Sequence, residues 1–130
     1  MLNHSAVEAN IPAADLDRAR EFYSDRLGLN PVAEYGGEAL RYQTDNGTFF
    51  NVYKTQYAGQ AAHTIAQWHV DDVDQEVHDL RAKGISFEEY DMPGVDWKDQ
   101  VANIPGLGKA AWFKDSEGNI MCLDEGAPPS

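Results

Sequence analysis

The chain carries an internal duplication. Residues 11–35, IPAADLDRAREFYSDRLGLNPVAEY, and residues 70–90, VDDVDQEVHDLRAKGISFEEY, follow one order: a strand end, a short acidic turn, an amphipathic helix closed by glycine, and a second strand ending in tyrosine. A second pair, DNGTFFNVYK (45–54) and SEGNIMCLDE (116–125), sets a glycine turn before a strand each time. Repetition within 130 residues restricts the fold to two like units packed as one domain. It also predicts a site between the two copies, on faces turned inward.

Local patterns extend the duplication to the whole chain. Val7, Ala9 and Ile11 alternate along Ser5–Pro12, which predicts a strand with Ala6, Glu8 and Asn10 on its other face. Asp15 is a good N-cap; Leu16, Ala19, Phe22, Tyr23 and Leu27 form one helical stripe, and Gly28 supplies the stop. Pro31–Tyr35 and Ala39–Thr44 read as a hairpin around Gly36 and Gly37, and Asp45-Asn46-Gly47 as a turn before the strand Thr48–Tyr53. Tyr57–Ala62 is the expected connector. The second copy repeats the order with the strand Thr64–Val70, caps at Asp71 or Asp72, a stripe of Val73, Val77 and Leu80, a stop at Gly84 and the strand Ile85–Tyr90.

Residues 91–108 break the symmetry, with two Pro, three Gly and an isolated Trp97, and are expected to form a long loop. Lys109–Phe113 and Asn119–Leu123 supply the last strands, and the tail GAPPS (126–130) is expected to be disordered. The fold class is therefore α+β: two tandem βαβββ modules, about 5–55 and 63–125, forming an open, barrel-like curved mixed sheet with a central cleft.

Composition narrows the function classes. A net charge of −12 and a pI near 4.5 argue against nucleic acid and anionic membrane surfaces as partners. Cys122 is the one cysteine, so no intrachain disulfide forms, in keeping with a reducing compartment. The start MLNHSAVEAN has no basic end and no apolar run, so it does not read as a signal peptide, and no stretch approaches the roughly 20 apolar residues of a membrane span. A cytoplasmic protein is expected.

Two stretches carry a family resemblance. DLDRAREFYSDRLGL (15–29) and WFKDSEGNIMCLDE (112–125) resemble the vicinal oxygen chelate superfamily, also called the glyoxalase/bleomycin-resistance/dioxygenase superfamily; Ser116 stands where that group more commonly has Pro. Both motifs are structural and carry little chemistry. The resemblance implies that the first and last strands of each copy would present metal ligands, at positions that fall here on Ala6, Asn51, Ile65 and Cys122. That set does not suit Mg, Mn, Fe or Ni, which prefer carboxylate, imidazole and water. No metal site and no cofactor are expected.

The remaining candidates follow from residue chemistry. Glu8 and His69 are the candidate catalytic groups, a carboxylate and an imidazole expected to face the cleft. Asn10, Asn51, Tyr53, Gln67, Trp97, Cys122 and Asp124 are the candidate ligand-binding residues, with Trp97 as a lid or a subunit contact. Cys122 has no neighbouring cation in sequence to activate it and reads better as a buried thiol than as a nucleophile. The expected function is metal-free binding and sequestration of an aromatic or polyketide-like metabolite or antibiotic, as in the superfamily's antibiotic-binding branch, in a homodimer. The alternative is a lyase or isomerase using Glu8 or His69 as general acid/base. A metal-dependent lyase or dioxygenase ranks below it.

Overall fold

The computed structural model describes residues 1–126. Most of the expected disordered tail lies outside them. Each module opens with a strand and a capped helix: β1 (Ala9–Ala13) and α1 (Leu16–Leu27), then β5 (Thr64–His69) and α2 (Val73–Ala82). Asp15 and Asp72 cap the helices by accepting the backbone N–H of Arg18 and Gln75. Gly28 ends α1 in the left-handed conformation at φ 72°, where L side chains are strained.

In the first module β2 (Ala33–Tyr35), β3 (Ala39–Gln43) and β4 (Phe49–Lys54) complete a sheet of order β1-β4-β3-β2, with β1 and β4 parallel and the other pairs antiparallel. The second module adds β6 (Phe87–Glu88), β7 (Asp96–Lys98), β8 (Val101–Ile104), β9 (Gly108–Lys114) and β10 (Ile120–Asp124). Its path is β5-β10-β9-β8-β7, β5 and β10 are again parallel, and β6 also pairs with β9. The order β5-β10-β9-β6 repeats the first sheet, and β7–β8 is a hairpin inserted beside it. Both sheets are open, and the architecture is α+β.

Three expectations change. Val7 is 94% exposed and precedes the strand, which begins at Ala9, so the apolar face of β1 consists of Ile11 and Ala13. The strand expected over Ile85–Tyr90 shortens to two residues. Residues 91–108 are not a plain loop, and Trp97 is not isolated: it lies on β7, its ring centroid 5.9 Å from that of Trp112. The hairpin was concealed because its turn, Asp99-Gln100, adopts positive φ (51° and 67°) without glycine. Arg81 holds that turn through the Asp99 carbonyl (2.6 Å) and Gln100 Oε1 (2.8 Å).

The core lies between the sheets and the helices and is continuous across both modules. Ile11, Val52, Leu40, Tyr42 and Phe50 face Ala19 and Tyr23 in the first module; Val73, Val77, Phe87, Phe113, Met121 and Leu123 fill the second. Phe50 and Trp68 bridge the halves edge to face at 5.4 Å. Because strands alternate, residues such as Asn10, Arg41, Asn51, Gln67 and Trp112, which lie between core positions, are presented on the outer face of their sheets.

Candidate ligand-binding site

The outer face of the first sheet carries a polar network. Register places Asn10, Asn51 and Arg41 side by side on β1, β4 and β3. Glu8, just before β1, accepts from Arg41 Nη2 at 2.7 Å and from Asn51 Nδ2 at 3.2 Å, while Asn51 Nδ2 also lies 3.3 Å from Asn10 Oδ1. The Arg41 guanidinium stacks 4.1 Å above the Phe49 ring. Its Nε is buried without a partner. Glu8 is ion-paired, and both partners are partly exposed. Tyr53 sits one row along the same face, 40% exposed, beside Ala39.

The outer face of the second sheet is built around a buried acid. Asp124, 1% exposed, accepts from Gln67 Nε2 at 2.5 Å and from the Gly126 backbone N–H at 3.0 Å. His69 Nδ1 lies 3.1 Å from the same carboxylate, and its ring is largely exposed. The parallel pairing of β5 and β10 creates this contact by setting Asp124 opposite His69 and Cys122 opposite Gln67. A carboxylate on Nδ1 fixes the tautomer and leaves Nε2 for a ligand.

Cys122 is buried, and burial first, then the charge of Asp124, pushes its thiol up to about 12. Such a thiol is protonated at neutral pH and is neither nucleophile nor ready metal ligand. Beside it runs an aromatic row: Trp112 lies 5.9 Å from Tyr90, edge to face, and 5.9 Å from Trp97. Trp112 Nε1 donates to Thr64 Oγ1 at 3.2 Å, and the Tyr90 hydroxyl donates to Glu88 at 2.8 Å.

The structure thus gathers the candidates into two sets. Glu8, Asn10 and Asn51 form one, with Tyr53 beside it; Gln67, His69, Cys122 and Asp124 form the other, with Trp97 reached through Trp112. Among the described residues no hydrogen bond or ion pair joins them, and each set is a candidate half-site on a sheet face turned away from the shared core. Sequence reasoning missed Arg41, Tyr90 and Trp112 as members. Arg41 was legible from the β3–β4 hairpin, which pairs it with Asn51; Trp112 was legible from its place opposite Cys122.

The four positions that would hold a metal do not fit one. Ala6 and Ile65 have no donor atom, Asn51 offers an amide, and Cys122 a buried thiol. Among the described residues, no group of three or more His, Cys, Asp or Glu side chains is arranged to hold an ion. No helix there is long and apolar enough to cross a membrane.

Comparison with known proteins bears on the fold. Residues 6–32 match the family described as bleomycin resistance protein-like N-terminal. No curated protein sequence matches the chain. The structure is similar to the bleomycin resistance determinant encoded on the transposon Tn5, at 17% identity and a TM-score of 0.72, covering 95% of this chain and 99% of that one. It is similar to TnmS3, an antibiotic binding protein from Streptomyces sp. CB03234 (19% identity, TM-score 0.68, 95% and 98% covered). It is also similar to a mutant of FosX, a fosfomycin resistance protein from Listeria monocytogenes complexed with Mn(II) (16% identity, TM-score 0.67, 95% and 91% covered). The chain therefore shares the fold of these proteins, and its first strand and helix lie within the stretch that matches the bleomycin resistance protein-like N-terminal family.

Proposed function

We propose that this protein binds a planar, aromatic or polyketide-like small molecule without a metal, and acts by sequestering it. The observation that carries this reading is the row Tyr90–Trp112–Trp97 on a sheet face that also presents Gln67 and His69. Aromatic rings supply stacking area, and a few fixed polar groups supply orientation. The acidic chain favours a neutral or cationic ligand. Similarity to an antibiotic binding protein and to a bleomycin resistance determinant supports the same class.

The half-sites bear on assembly. In a homodimer, the Glu8–Arg41 face of one copy would lie against the Trp112–His69 face of the other and complete two equivalent clefts. Screening planar metabolites by tryptophan quenching, with metal analysis of the purified protein, tests the proposal. A saturable ligand whose affinity falls at least about 10-fold in Trp112→Ala supports it. One stoichiometric metal ion per chain overturns the metal-free part.

One observation favours a second reading. His69, held at Nδ1 by Asp124 and open at Nε2, has the arrangement of a general base, so a lyase or isomerase remains the alternative. An enzyme of that kind loses turnover by a factor on the order of 100 in His69→Gln or Glu8→Gln, whereas a binding protein loses only affinity.

A further inference from the structure

A cleft of about 460 Å³ opens on the helix side of the molecule, at the seam between the two modules. Leu27 and Leu29, at the end of α1, form one apolar wall, and Trp68, Leu80, Phe113 and Leu123 form the other. It lies on the face opposite Trp112 and His69, and its volume is within the range of sites for small organic ligands.

We propose that this cleft binds an amphipathic organic cation, a compact one- or two-ring apolar group bearing a quaternary or protonated amine. The apolar walls from both modules accept the rings. Three sources of negative potential meet at the cleft. Asp45 and Glu76 line it, and neither takes part in an ion pair among the described residues. The third is the C-terminal end of α1, where Leu27, Gly28 and Leu29 line the cleft and the helix dipole presents its negative pole. No Lys, Arg or His lines it. A net charge of −12 adds a long-range pull on cations. The site is independent of the outer-face half-sites and uses none of their residues.

Trp68 is a built-in reporter, because it lines this cleft while Trp97 and Trp112 pack tilted against each other on the outer face. The experiment is an NMR titration of the three indole N–H resonances with 2-naphthylmethyltrimethylammonium, with 2-methylnaphthalene and 2-naphthylacetate as neutral and anionic comparisons. Assignment comes from Trp68→Phe. The expected result is a saturable shift of the Trp68 resonance alone, with affinity falling from cation to neutral to anion. Glu76→Gln and Asp45→Asn each weaken the cation by about 2- to 5-fold and leave the neutral probe unchanged. Leu80→Trp, which fills the cleft, abolishes the shift in a protein whose other resonances stay dispersed. A shift confined to Trp97 and Trp112, equal affinity for the anion, an unchanged affinity in the Asp45/Glu76 double variant, or no saturable shift would overturn the proposal.

Discussion

Arg18 and Glu117 stand 99 residues apart in sequence and meet as an ion pair, Nε to Oε2 at 2.8 Å, with Nη2 to Oε1 at 2.9 Å. The Glu117 carboxylate also accepts the backbone N–H of Asp15 at 2.9 Å. Two residues either way, the same turn acts again: Asp115 accepts the Tyr23 hydroxyl at 2.8 Å, and Asn119 Nδ2 donates to the Pro12 carbonyl at 2.7 Å. The closing motif WFKDSEGN is thus a clasp, fastening the last hairpin of the second module to the first helix and strand of the first.

Glu117→Gln should loosen this clasp in a pH-dependent way. Burial alone would raise the Glu117 pKa; hydrogen bonds from Arg18, the Asp15 backbone and Ser116, together with the Arg18 charge, outweigh burial and hold it below the ordinary value of 4.5. A lowered folded-state pKa stabilises the fold fully above the unfolded value and ceases to do so as pH falls through the folded one. Wild type should therefore have the higher urea midpoint at pH 7, with the gap closing toward pH 3. Asp115, raised chiefly by burial, titrates with the opposite sign in both proteins, so the difference between them is the quantity to measure. A gap independent of pH would remove the ion pair from the explanation.

Gly59→Ala should be far more damaging than Gly47→Ala. Both glycines have positive φ, 74° and 91°. A Cβ at Gly59 would stand 2.5 Å from the backbone carbonyl oxygen of Glu117, whereas one at Gly47 meets nothing within 4 Å. Strain alone costs about 1 kcal/mol at Gly47; the added collision with the clasp should bring Gly59→Ala to about 2 kcal/mol or more. Urea midpoints of the two variants decide it, and equal losses would mean that the connector does not pack against the turn.

Cys122 should resist alkylation. It is 3% exposed, and its thiol is pushed from 9.0 up to about 12. Iodoacetamide should modify it at pH 8 only after unfolding. Because the folded pKa is raised, stability should decline as pH climbs from about 9, where the unfolded thiol ionises, toward 12. Cys122→Ser should flatten that alkaline limb, and rapid native labelling at pH 8 would contradict the burial.

Arg41→Met should impair binding more than folding. The Arg41–Glu8 pair is partly exposed, so its loss should cost less than about 1 kcal/mol of stability. Removing it leaves Glu8 with Asn51 alone and frees the carboxylate to move. Once a ligand is identified, its affinity should fall about 10-fold or more in Arg41→Met and recover partly in Arg41→Lys. Loss of affinity matched by loss of fold would assign Arg41 a structural role only.

Much of the architecture was legible because local chemistry dictated it. Asp15, Asp72 and Gly28 act at the helix ends as their side chains, or lack of one, require, and the alternation of Ile11, Val52 and Leu40 with Asn10, Asn51 and Arg41 separated core face from outer face. The inserted hairpin was hidden because its Asp99-Gln100 turn is held by Arg81 from a distant helix, not by its own composition. Val7 misled because alternation continues past the residues that have a strand to pair with.

By itself, then, the sequence determined the duplication, the two helices, the parity of the strands it predicted and the absence of donor atoms at two of the four ligand positions. All of these depend on residue type and on spacing of a few residues. Tertiary structure alone decided that Glu8 is matched with Arg41, that His69 is matched with Asp124, and that the two sets lie on faces turned away from one continuous core. Those outcomes depend on strand register and on how the modules dock through the clasp at Arg18 and Glu117. Contacts between residues 33 to 99 positions apart are set by the packing of the whole chain.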